Sequence, residues 1–186
     1  MIIHLTDCPP RPWKNGLGRT REIAVQPSTA GSTDFMWRVS IAEVTSAAPF
    51  SAFPGVDRVI ALLAGAGFSM TLDAGHVHAL TTPFVPFAFP GEAIVDVQLA
   101  GGPTRDFNLM VRRALARGEL QVWREPAVHV ADLAVVLVYC AHGVIDTVDG
   151  VLHAGDAWQP VDPRAGEVTV HPDTVAVVAR VVPHAT

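Results

Sequence analysis

Lysine is nearly absent from this chain. Of thirteen basic residues in 186, twelve are Arg and Lys14 stands alone. A solvated surface normally carries several lysines, so a single one inside a dense motif draws attention. The plainer account is drift toward Arg in a GC-rich coding sequence, since Ala, Val, Gly and Pro are also abundant. The net charge is −5, with no basic run and no helix-turn-helix pattern, which argues against direct nucleic-acid binding. Only two cysteines occur, Cys8 and Cys140. Without a secretory context they read as free thiols, unless the fold brings them together. There is no long apolar run: the stretch 128–141 is interrupted by His129 and Asp132, too short and too polar for a bilayer. The opening MIIHLTDCPPRPW lacks a basic segment followed by an apolar one, so the expectation is a cytoplasmic protein with no signal peptide and no membrane partner. No Gly-x-Ser-x-Gly elbow, P-loop, Rossmann fingerprint or Cys-x-x-Cys is present. The Gly-Leu-Gly at 16–18 lacks the third glycine and the preceding strand that nucleotide binding needs.

What is present is strand grammar. The chain is 49 % hydrophobic and 17 % charged, enough apolar surface for one large domain or two small fused ones. Trp37, Val39 and Ile41 alternate with Arg38, Ser40 and Ala42, the period of a strand whose two faces have different uses. Further strands are predicted at 59–63, 67–72, 87–89, 94–99, 107–112, 133–140, 143–147, 150–153 and 174–182. Gly- and Pro-rich turns separate them at short intervals, as in a sandwich or barrel. The stretch 111–120 has too few apolar positions for a helix. Residues 59–67 and 135–145 each read as strand, Gly-containing turn, strand. That is consistent with two copies of one β-unit joined near 115–124.

The costly residues are concentrated in four blocks: PWKNGLGRTREI (12–23), FMWRVSIAEV (35–44), PFSAFPGVDR (49–58) and DFNLMVRR (106–113). A plain β-protein has no need of Trp-Lys-Asn-Gly or Asp-Phe-Asn. In this order and spacing the blocks resemble the HutD/Ves family of cupin-like proteins, closely over two-thirds of the chain and in outline over the rest. The resemblance implies an all-β, double-cupin (bicupin) β-barrel or jelly-roll sandwich. An N-terminal barrel, 1–114, would carry the site, with a smaller C-terminal barrel, 115–186, packed on it. It also implies a link to histidine breakdown. Cupin barrels often pair through their sheet edges, so a homodimer is open to this chain.

Cupin barrels that hold a metal carry His-x-His-x4-Glu-x6-Gly. Counting back from Gly65, the ligand places fall on Ser51, Phe53 and Arg58. A hydroxyl is a poor ligand, a phenyl ring none, and a guanidinium repels cations. The expectation is a cupin without metal or other cofactor. A planar, always-charged Arg58 suits a carboxylate instead. Arg38 joins it if the polar face of its strand lines the pocket, and Lys14 and Asn15 add donors from a Gly-flanked loop. Trp13 and Phe53 would form apolar walls. Asp106 and Asn108 share a strand face opposite Phe107 and either cap a loop or face the pocket. Structural bridges compete: Arg58 with Asp57 or Asp106, and Arg38 with Glu22 or Glu43. Trp37 is better placed in the core. Thr20, Arg21 and Glu22 could close a turn or interlock the halves, and Gly16 and Gly18 suit positive φ. His76 and His78 share a strand face but lie in a Gly- and Asp-rich region without an acidic partner, so they read as exposed turn residues rather than a metal pair.

Three functions fit. The first is a metal-free binder of a small carboxylate that regulates histidine utilisation; by family resemblance the ligand would be urocanate or N-formylglutamate. The second is a metal-independent enzyme on the same metabolites, with Asp57 or Asp106 as base and Arg58 or Lys14 stabilising an oxyanion. The third is a structural or partner-binding protein whose blocks lock two barrels together.

Overall fold

The alternation at 37–42 is realised in a ten-residue strand, Phe35–Val44. The computed structural model describes residues 1–13, 16–29, 34–73, 75–161 and 166–185. In chain order the strands are β1 (Ile2–His4), β2 (Arg11–Pro12), β3 (Gly18–Pro27), β4 (Phe35–Val44), β5 (Val56–Ala64), β6 (Phe68–Leu72), β7 (His76–Leu80), β8 (Phe87–Pro90), β9 (Val95–Leu99) and β10 (Thr104–Arg112). They continue as β11 (Ala116–Trp123), β12 (Ala127–Val130), β13 (Val135–His142), β14 (Val144–Thr147), β15 (Gly150–His153), β16 (Asp156–Trp158), β17 (Glu167–Val170) and β18 (Val175–Pro183). Among the described residues the only helical element is one 3-10 turn at Leu5–Asp7, and no helix is long and apolar enough to cross a membrane. The chain is all-β.

Among the described residues four open sheets result, ordered β2-β3-β4-β10-β5-β8, β7-β6-β9, β1-β16-β13-β18-β11 and β12-β17-β14-β15. Seven strands of one half correspond in order to seven of the other. The run β4-β10-β5-β8 corresponds to β11-β18-β13-β16, and β7-β6-β9 to β15-β14-β17. The weak repeat at 59–67 and 135–145 is the crossing from large sheet to small sheet in each half. Gly65 (φ 92) and Gly67 (φ 78) make the first turn, and Gly143 (φ 79) the second. One strand crosses the expected 114/115 division: β1 pairs with β16.

The sheets stack with three apolar layers between them. Ile60, Leu62, Phe68, Met70 and Val97 fill the space inside the first pair of sheets, and Val138, Ile145, Leu152 and Trp158 the second. The third layer joins the two large sheets. There Trp37, Val39, Ile41, Phe107 and Leu109 meet Leu137, Tyr139, Val177 and Ala179, with the Phe107 and Tyr139 rings 5.5 Å apart. This explains why the odd-numbered positions 37–41 of β4 and 107–111 of β10 are apolar: they face the other half. The even-numbered positions face into the first half, and the polar residues are there.

Several strands exceed the sequence expectation. Gly18–Pro27 is a full strand although its Thr-Arg-Glu sequence carries no apolar alternation; pairing with β4 along its length holds it. His76 and His78 lie in β7 rather than a turn, and the His78 ring stacks on Phe87 at 3.6 Å. Cys8 and Cys140 are free and buried in different apolar layers.

Candidate functional site

Strand register assembles the site. On the inward face of the six-stranded sheet, Arg38, Met110, Arg58 and Phe89 form one row across β4, β10, β5 and β8. Ser40, Asn108 and Ile60 form the next row, and Ala42, Asp106 and Leu62 the third. A row advances two residues, so Asp106 lies about 14 Å along the strand from the arginine row. This face lines one cavity of about 460 Å³, whose remaining wall is Arg11, Pro12, Trp13, Thr20, Pro49, Phe50, Ser51 and Phe53.

Of the residues singled out from sequence, Trp13, Arg38, Ser51, Phe53, Arg58, Asp106 and Asn108 all line this cavity. Lys14 and Asn15 lie outside the described residues. Sequence reasoning missed Arg11, Thr20, Ser40, Phe50 and Met110. Ser40 and Met110 were recoverable, being two residues from Arg38 and Asn108 on the same strand faces. Phe89 was not, because only the pairing of β5 with β8 brings it beside Arg58.

Arg58 is 6 % exposed. Its guanidinium carbon lies 4.9 Å from the Phe89 ring centre, 5.1 Å from Phe50 and 5.7 Å from Phe53. Ring faces stabilise a cation without neutralising it. The competing bridges go elsewhere. Asp57 pairs with Arg113 at 2.7 Å, and Arg113 also holds Glu92 at 2.9 Å. Among the described residues no carboxylate pairs with Arg58, and its buried Nε has no hydrogen-bond partner. Burial pulls its pKa down to about 10, opposed by Asp106 and reinforced by Arg38. Arg38 follows its structural alternative: its Nε lies 2.9 Å from Glu22 Oε2, an ion pair without the alignment of a hydrogen bond.

Asp106 is 1 % exposed, and burial pushes its carboxyl up to about 7 against the pull of Arg58. Asp106 Oδ2 and Asn108 Oδ1 are both buried without a hydrogen-bond partner. Both residues therefore face the pocket rather than cap a loop.

The wall is held from the N-terminus. Trp13 Nε1 donates to Thr20 Oγ1 at 2.8 Å, and the Trp13 ring meets Phe50 edge-on at 6.4 Å. Thr20 thus anchors the wall rather than closing a turn. Arg21 faces away and donates to the Cys8 carbonyl at 2.7 Å. Gly16 has the expected positive φ of 70°. Gly18 serves a different purpose: a Cβ there would lie 2.8 Å from the Glu43 carbonyl oxygen and 2.9 Å from the Trp13 ring. Close approach, not φ, requires this glycine.

The cupin resemblance raises the question of a metal. Ser51, Phe53 and Arg58 do not fit a divalent cation, since the third carries a fixed positive charge caged by aromatic rings.

A family model described as HutD matches residues 5–177. The chain is 36 % identical over 145 residues to an uncharacterized 21.2 kDa protein in the hutC 3′ region of Pseudomonas putida, covering 78 % of this chain and 75 % of that one. It is 35 % identical over 154 residues to the protein Ves of Escherichia fergusonii, covering 82 % and 75 %. Among solved structures, HutD from Pseudomonas fluorescens SBW25, in a formate condition, superposes with a TM-score of 0.87 at 32 % identity, covering 100 % of this chain and 99 % of that one. Ylba from E. coli shares the fold at a TM-score of 0.72 with 8 % identity, covering 100 % and 91 %. The register that gathers the four blocks around one cavity therefore belongs to a cupin-like fold, and the chain is a member of the HutD family.

Proposed function

We propose that this chain is a metal-free, double-cupin protein whose first half, residues 1–114, binds a small carboxylate drawn from histidine degradation, such as urocanate or N-formylglutamate, and thereby regulates histidine utilisation. One observation carries the reading: a buried guanidinium, caged by three aromatic rings and left without a carboxylate of its own, faces a cavity of about 460 Å³. A carboxylate matches that fork in geometry and charge. The repeat of seven strands in each half supports the double-cupin arrangement. The hutC 3′ region of the P. putida relative supports the pathway.

Metal-independent catalysis is a second reading, favoured by Asp106. A carboxyl pushed up to about 7 beside a cavity lies in the range of a general base. A purely structural role would have the polar atoms of the blocks paired off, whereas Arg58, Asp106 and Asn108 each keep an unpartnered buried atom.

The test is thermal unfolding against histidine, urocanate, N-formylglutamate, glutamate and formate, with and without chelator. A ligand at a hundred times its Kd stabilises by about 2.7 kcal/mol, a shift of roughly 5–10 °C in a chain of this size. Such a shift with one acid, unchanged by chelator, is expected. No shift with any acid, and a midpoint lowered by chelator, would sink the reading.

A further inference from the structure

We propose that an acid entering this cavity brings a proton with it, taken up by Asp106 as the acid's carboxylate settles on Arg58. The inference rests on the carboxylate reading above and deepens it.

Asp106 sits in the third row, flanked in the sheet by Ala42 and Leu62. It is nearly inaccessible and its Oδ2 has no partner. Among the described residues the charged groups that face it are few. Arg58 comes from β5; Arg38 from β4 is already paired with Glu22 of β3; and Arg11 from β2 stands exposed at the mouth. Residues 45–55, which form the facing wall, carry no titratable side chain. The adjacent Arg105 lies on the other face, lining a separate cleft with Tyr139. Among the described residues Arg58 is thus the one cation whose field favours the ionised form of Asp106, against burial, which favours the neutral form.

A carboxylate resting on Arg58 cancels that field. Burial then acts unopposed, and Asp106 takes a proton from solvent. Charge balances at the cation: one cation and one anion before binding, Arg58 and Asp106, become one cation and one anion after it, Arg58 and the carboxylate that settles on it, with Asp106 a neutral carboxylic acid. Two buried carboxylates never have to share the site. Asn108, in the row between them, can present either its amide N–H or its carbonyl, and so serves both states. A free amino acid would behave differently, because its ammonium group balances an ionised Asp106 and needs no proton.

The experiment is titration calorimetry in buffers of differing ionisation heat, with N-formylglutamate as probe and formate as the minimal acid. The probe's own carboxyls, with pKa values of about 4, stay ionised above pH 5.5. At pH 8.5 the intact chain is expected to take up between about half and one proton per ligand. Uptake falls toward zero at pH 5.5, where Asp106 is already protonated. Affinity correspondingly drops by up to about tenfold per pH unit above 7. Asp106→Asn is expected to bind with no proton uptake and with an affinity independent of pH. Binding at pH 8.5 without uptake overturns the inference and leaves the carboxylate reading standing. So does uptake that persists in Asp106→Asn. Failure of the intact chain to bind either acid or urocanate overturns the carboxylate reading and, with it, this inference. If Asp106→Asn does not fold, the pH series on the intact chain decides: a flat affinity from pH 5.5 to 9 overturns the proposal.

Discussion

Arg58 stands opposite Met110 on the strand that carries Asp106 four residues earlier, so two opposite charges share one cavity from rows about 14 Å apart. Each influences the other's ionisation, yet neither neutralises the other. The separation leaves room for a small molecule beside the cation.

Arg58 should therefore cost stability and supply binding. Arg58→Ala is expected to lose on the order of 2–5 kcal/mol of acid affinity. Arg58→Met keeps the bulk and removes a buried, unpaired charge, so its unfolding midpoint should equal or exceed that of the parent while its response to acids disappears. Thermal unfolding with and without N-formylglutamate checks both; a full acid response in either variant removes Arg58 from the site.

Asp106 should tilt stability with pH. Between about pH 4, where an unfolded Asp ionises, and pH 7, the folded chain holds one proton more than the unfolded chain. Stability from this group therefore falls as pH rises through that window, by at most about 1.4 kcal/mol per unit. Urea unfolding of parent and Asp106→Asn at pH 4.5, 5.5 and 7 should show the difference between them change in that direction. A constant difference would show that Asp106 does not titrate there.

Gly18→Ala should act on the cavity wall. Its Cβ would meet the Glu43 carbonyl oxygen at 2.8 Å and the Trp13 ring at 2.9 Å, an overpacking expected to cost about 1–3 kcal/mol. Relief requires the indole to move, which breaks its bond to Thr20. Reduced stability together with a red-shifted tryptophan emission is expected; Gly75→Ala, with open space around its Cβ and no positive φ, should leave the emission unchanged.

The thiols should be silent in the folded chain. Cys140 is fully buried and its pKa is pushed up to about 11 by that burial; Cys8 is also buried and its pKa raised. The thiolate is the reactive form, so thiol-reactive dye at pH 8 should label neither until denaturant is added. Stoichiometric labelling of the native chain would contradict the packing.

The class of fold was legible because strand alternation is local. Trp37, Val39 and Ile41 announce one interior, and Arg38, Ser40 and Ala42 another, whatever lies across from them. Part of the candidate site was legible for a related reason. Arg58 at a place where a metal-binding cupin needs Glu, and Asp106 and Asn108 two residues apart, are chemistry and spacing readable along a single strand. Gly18–Pro27 was not legible as a strand, because its pairing with β4, not its own composition, makes it one.

The sequence alone determined the inventory: which charges exist, which strand faces carry them, and that the donors at the cupin frame do not suit a divalent cation. It left four candidate bridges open at once, Arg58 with Asp57 or Asp106 and Arg38 with Glu22 or Glu43, and only tertiary structure chose among them. Arg38 goes to Glu22 and Arg113 to Asp57, while Arg58 goes to neither and is enclosed by Phe50, Phe53 and Phe89. The reason is register. Salt bridges act over a few ångströms, and which residues come that close depends on how strands distant in sequence align. A one-residue slip would turn every polar side chain of the inward face to the opposite side of the sheet.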